Sequence, residues 1–125
     1  MKTFRNFTRL AAMVVLALAA VASAPAQALS TEELATLIES AQTKEDHLKL
    51  AAHFAAKADE LAQDAKKHED MANRFQRKNL PAKLESTNRF MAKHCKNLAR
   101  SLNEASKEAR QLADGHRDMA DEVAK

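Results

Sequence analysis

Tryptophan and tyrosine are missing from this chain, glycine occurs once, at Gly115, and proline only at Pro25 and Pro81. So few breakers, set among so much Ala, Leu, Lys, Glu and Gln, favour helix over strand. Cysteine is present once, at Cys95, which excludes an intramolecular disulfide. A lone thiol in an oxidising compartment is buried, metal-bound or paired with another chain. No CxxCH occurs, which removes covalent haem attachment, and neither CxxC, HxxxH nor a Gly-rich phosphate loop is present. Haem held non-covalently by His and Met would need a wider cavity than Ala-rich helix seams leave.

Long apolar runs are also lacking. The one substantial run, Leu10 to Ala22, falls short of the ~20 residues that span a bilayer. It follows Lys2, Arg5 and Arg9 and precedes the small-residue patterns Ala22-Ser23-Ala24 and Ala26-Gln27-Ala28. That arrangement reads as a signal peptide over residues 1–28, cut near Ala28 because Pro25 sits directly after the earlier site. No cysteine follows the run, so lipid attachment is not expected there. The expected product is a released periplasmic or secreted domain of residues 29–125, with no membrane span. The chain carries 20 Lys+Arg against 17 Asp+Glu, and the three excess positives are those of the signal. The remainder is balanced, with charges of alternating sign, so a basic nucleic-acid-binding surface is not expected.

Helix starts are written locally. Ser30-Thr31-Glu32-Glu33 has the capping-box form, and Leu34, Leu37, Ile38 and Ala41 follow on one face, predicting a short helix over 31–42. Thr43 is a second N-cap candidate, and the pattern then runs unbroken to about Gln76. Pro81 cannot occupy a helix interior, so a third helix is expected from about 83 to 123. Gly115 costs a helix interior roughly 1 kcal/mol against Ala, yet Met119 and Val123 keep the stripe beyond it, so this helix reads as continuous.

Both long segments carry stripes that step by four and three. The first is His47, Ala51, Phe54, Ala58, Leu61, Ala65, His68, Ala72, Phe75; the second is Met91, Cys95, Leu98, Leu102, Ala105, Ala109, Leu112, His116, Met119, Val123. Two helices packed along one seam are implied, and the short connection makes them antiparallel. A turn centred at Pro81 and Ala82 sets Ala65 opposite Leu98, Leu61 opposite Leu102, Phe54 opposite Ala109 and Ala51 opposite Leu112. The fold class is therefore all-α: a short N-terminal helix and a long antiparallel helical hairpin. Leu50, Met71 and further alanines widen the stripes past a two-helix seam, and so small a domain needs more cover. A homodimer forming a four-helix-bundle-like assembly is expected to supply it.

The polar pattern repeats. His68-Glu69-Asp70-Met71-Ala72 and His116-Arg117-Asp118-Met119-Ala120 share one unit, Cys95-Lys96-Asn97-Leu98-Ala99 carries Cys in place of His, and His47-Leu48-Lys49-Leu50-Ala51 is a fourth copy. His47 and His68 are three heptads apart, as are Cys95 and His116, which points to an internally duplicated hairpin. Together with His94-Cys95, these motifs resemble an uncharacterised family of exported bacterial helical proteins over nearly the whole mature chain. The resemblance implies the same fold and export and brings no activity with it.

The expected register sets His68 against Cys95, with Met71 and Met91 a turn away and His94 adjacent, and His47 against His116, with Met119 beside it. Three heptads, about 31 Å, separate the two layers. Imidazole, thiolate and thioether donors suit copper, and His with Cys suits zinc, so His68, Cys95, Met71, Met91, His47, His116 and Met119 form a candidate metal set. The plainer reading makes the methionines core filler and the His and Cys residues hydrogen-bonded polar layers. A Cys95 nucleophile paired with His68 or His94 lacks any sign of a cleft or oxyanion hole, and Glu32/Glu33, Glu45/Asp46, Glu69/Asp70 and Asp121/Glu122 suit helix surfaces. An enzyme is not expected. Two readings remain: a small exported helical module that self-associates or binds another periplasmic protein, and a copper- or zinc-binding helical bundle.

Overall fold

The computed structural model describes residues 29–76 and 81–125, all helical apart from caps and connections. The expected signal peptide and part of the hairpin turn lie outside the described residues. Three helices follow in order: α1 (Thr31–Ser40), α2 (Lys44–Phe75) and α3 (Ala82–Glu122). Among the described residues, no helix is long and apolar enough to cross a membrane.

The starts lie where the cap residues placed them. Ser30 Oγ accepts from the Glu33 amide at 3.2 Å, and Glu33 Oε2 accepts from the Ser30 amide at 2.8 Å. Thr43 and Asp46 repeat this reciprocal pair at the start of α2, where the Asp46 carboxylate also accepts from the Gln42 amide. Each box satisfies amides that would otherwise lack a partner and sets acidic side chains against the positive end of the helix. α3 begins behind Pro81 with no side-chain cap, and the Pro81 carbonyl receives the Leu84 amide at 2.8 Å. Gly115 lies inside α3, which continues through it to Glu122.

α2 and α3 pack side by side along their length, whereas α1 touches α2 alone. His47 near the start of α2 meets His116 near the end of α3, and the Ser106 hydroxyl donates to the Ala58 carbonyl at 2.7 Å. Together these contacts fix an antiparallel hairpin in the expected register.

The seam differs in part from the heptad reading. On α2 it is formed by Ala51, Ala58, Ala65 and Ala72, as expected; on α3 the expected Cys95 and Ala109 are buried, with Leu102 and His116 half-buried, but the second row is Ala92, Ala99, Ser106, Ala113 and Ala120. Met91, Leu98, Leu112 and Met119 were expected in the seam and instead lie 38–51% exposed, with Ala105 also exposed. Successive residues are about 100° apart, and exchanging one of the two expected rows while keeping the other turns α3 by about half of that, which brings its smaller side chains towards α2. From Ser106 on Ala58, heptad steps in opposite directions bring Ala65 to Ala99, Ala72 to Ala92 and Ala51 to Ala113. Every layer is small against small, where large against small was expected. Such layers let two backbones approach and gain close main-chain packing, a gain that Leu98 or Leu112 in the seam would forfeit.

The resulting core is narrow. Among the described residues, Leu50 is the only large side chain wholly buried, and the other buried apolar residues are alanines and Cys95. Replacing Ala65 by Leu should force the helices apart and destabilise the hairpin by about 1–3 kcal/mol. Leu98→Ala should cost the isolated hairpin far less than the roughly 2–5 kcal/mol of a buried leucine. Urea denaturation of both variants measures this; equal losses would place Leu98 back in the seam.

Candidate functional site

The two flanks of the seam differ in character. One carries Glu69, Lys96, Arg100, Asn103, Glu104 and Lys107 around an open polar groove, and Arg110 reaches Asp59 across it at 2.6 Å. These charges are solvated and of mixed sign, and such pairs contribute little to stability. The other flank carries the polar repeat. There α2 presents His47, Phe54, Leu61, His68 and Phe75, all half-buried at strict heptad spacing, and α3 presents Cys95, Leu102, Ala109 and His116.

Of the two layers read from the sequence, the structure closes one. His47 Nδ1 and His116 Nδ1 are 3.4 Å apart, with ring centroids 5.6 Å apart and ring planes 24° from parallel. The centroid separation exceeds the nitrogen separation by about two ring radii, so the two nitrogens face each other edge to edge. Phe54 lies parallel to His116 at 5.7 Å, an offset stack that holds the imidazole in place. Phe54 appears in the sequence stripe only as a core position. Its seven-residue distance from His47 was the available signal for this second role.

The other layer does not close. Cys95 is buried and free, and His68 Nδ1 is buried with no hydrogen-bond partner among the described residues. Met71 and Met91 are each more than a third exposed and flank the layer without entering it. His94 leaves the seam altogether: it is exposed and its ring rests on Phe90 at 4.2 Å. His53, which the stripe omits, packs edge-on to Phe54 at 5.4 Å with its Nδ1 buried and unpartnered. Among the described residues, no three His, Cys, Asp or Glu side chains are placed to share a metal ion.

Beside His116 runs a groove of about 220 Å³ lined by Glu108, Leu112, Gly115 and Met119. Gly115 lines it, and among the described residues nothing apart from its chain neighbours and its own helix backbone comes within 4 Å of where a Cβ would stand. No turn and no internal close approach therefore calls for glycine here.

Protein-family models, curated proteins and solved structures were each compared with the chain, and none matches it. The described residues define a class by geometry alone: an all-α hairpin with a small-residue seam, one polar flank and one apolar, histidine-bearing flank.

Partial burial, followed by the neighbouring His47, holds His116 below the ordinary histidine range. The unfolded chain then binds a proton that the folded chain refuses. Stability is complete above the unfolded value near 6.5 and is lost as pH falls through the lower folded value. In the presence of a chelator, urea midpoints should fall between pH 7 and pH 5, and His116→Gln should flatten that slope. An unchanged slope in the variant would assign the dependence to other groups. Gly115→Ala should raise the stability of the isolated hairpin by about 1 kcal/mol, since only helix propensity changes; thermal unfolding measures it, and a loss would reveal a neighbour at that position.

Proposed function

We propose that this chain is an exported helical interaction module that self-associates through the apolar flank of its hairpin. The observation that carries the reading is a row of unpartnered side chains. Leu84, Met91, Leu98, Leu112 and Met119 follow one another along α3 at seven-residue steps or multiples of them, each 38–51% exposed. Together they form one apolar stripe along the helix, the kind of patch that is often functional.

The row adjoins the half-buried line from His47 to Phe75, so the whole flank has the width of a second helix-packing face. A second copy suits it best. An isologous two-fold contact sets the same heptad row against itself, giving four helices around a shared apolar centre. The core of one hairpin, alanines with a single large buried residue, is thin support for a domain of this size, which adds reason for such a contact. Export rests on the basic, apolar and small-residue succession of the first twenty-eight residues.

Sedimentation equilibrium on the purified protein should give a dimer at micromolar concentration. The double variant Leu98→Glu/Leu112→Glu should sediment as a monomer while keeping its helical circular dichroism. A wild-type monomer at 100 μM, an order-of-magnitude ceiling for a weak interface, would overturn self-association.

A further inference from the structure

We infer that the apolar flank receives a second copy of this chain in one register: α3 against α3, antiparallel, with the two-fold axis passing beside Ala105. This rests on the self-association proposed above and adds which residues meet.

The order of side chains in the exposed row carries the inference. Along α3 the row runs Met91, Leu98, Ala105, Leu112, Met119 at strict seven-residue steps, and all five are exposed. It reads the same from either end. An isologous contact between antiparallel helices pairs residues at equal distances from its axis. An axis at Ala105 therefore sets Leu98 against the partner's Leu112, and Met91 against the partner's Met119. Those pairs stand about 10 and 21 Å from the axis along the helix. The smallest side chain of the row lies at the centre, where two alanines meet and the helices come closest.

The next row outward agrees with that axis. It holds His94, Ser101, Glu108 and Gly115. The same pairing brings His94 opposite the partner's Gly115 and Ser101 opposite the partner's Glu108, a longer side chain against a shorter one each time. Gly115 gains a reason here that its own chain does not supply. Glycine costs helix stability against alanine, and no internal neighbour stands where its Cβ would be. Its missing side chain leaves the groove of about 220 Å³ between Leu112 and Met119 open, and the partner's Met91, His94 and Leu98 lie across from that groove.

Charge and fit separate this register from its neighbours. A parallel pair would set Glu108 on the partner's Glu108 and Glu122 on the partner's Glu122, and like charges brought together across an interface are unfavourable. Sliding the antiparallel pair by one heptad moves the axis to between Ser101 and Leu102. Gly115 would then face the partner's Thr87, a side chain shorter than His94, and the groove would be left largely unfilled.

Single cysteines placed on the full chain at Ala105→Cys and Ser101→Cys read the axis directly, with any disulfide identified by the mass of the linked peptides. Both positions are exposed, so the hairpin should tolerate each change. A disulfide needs Cα atoms within about 7 Å. Mild oxidation should link Ala105→Cys chains to each other and leave Ser101→Cys chains unlinked through that position, since two copies of residue 101 stand about 12 Å apart along the helices in this register. Gly115→Leu should weaken the dimer more than about tenfold, the effect of one overpacked contact, while keeping its helical circular dichroism. Linkage at Ser101→Cys alone would show the slipped register, and linkage at both positions the parallel one. Either result, no linkage in a protein that sediments as a dimer, or undiminished dimerisation of Gly115→Leu would overturn the register and leave self-association standing. A wild-type monomer would overturn both.

Discussion

The close approach of α2 and α3 along their alanines is the constraint from which the rest of the structure follows. Ser106, with a side chain only one heavy atom longer than alanine, already reaches the opposite main chain. Nothing larger fits between the helices without separating them. That contact turns α3 by about half of the 100° between successive residues from the leucine-centred orientation, and every later feature inherits the turn. The leucines and methionines of α3 are moved to one flank, where the hairpin alone cannot cover them. The histidines are moved to the edge of the seam, half in water and half out of it, where an imidazole can hold a partner and still be reached.

Much of this was legible in the sequence because the signals were local or strictly periodic. Ser30 with Glu33 and Thr43 with Asp46 write the helix starts into four-residue windows, and both boxes form. Pro81 marks the break, the heptads give two long helices, and equal spacing on either side of the break pairs His47 with His116. What pattern alone could not decide was which of two adjacent stripes on α3 faces inward. Met91, Leu98, Leu112 and Met119 are the more hydrophobic line, and Ala92, Ala99, Ala113 and Ala120 the smaller. Hydrophobicity favours the first and backbone proximity the second. The choice depends on the partner helix being lined with alanine at the same period, a property of two segments taken together.

The same point explains the candidate site. The sequence supplied two layers with equal claims, His47 with His116 and His68 with Cys95, and one of them closes. Spacing along a helix reports which residues share a face, but it does not report reach. His53 escaped notice for the complementary reason: it stands off the stripe and is drawn in by Phe54 through an edge-on contact that no periodicity encodes.

The repeated spacing makes the difference between the layers interpretable. Each α2 histidine of the heptad stripe is followed seven residues later by a phenylalanine, Phe54 after His47 and Phe75 after His68. In the layer at the open end, the α3 position opposite is an imidazole long enough to touch both: its edge meets His47 and its face meets Phe54. In the layer near the turn the equivalent position is Cys95, whose sulfur ends close to its own helix. The phenylalanine has no ring to stack upon there, and His68 is left with a buried nitrogen and no partner. Burying an imidazole nitrogen unpaired is costly, so one half of the repeat is settled by contacts within the chain while the other retains an unmet polar group.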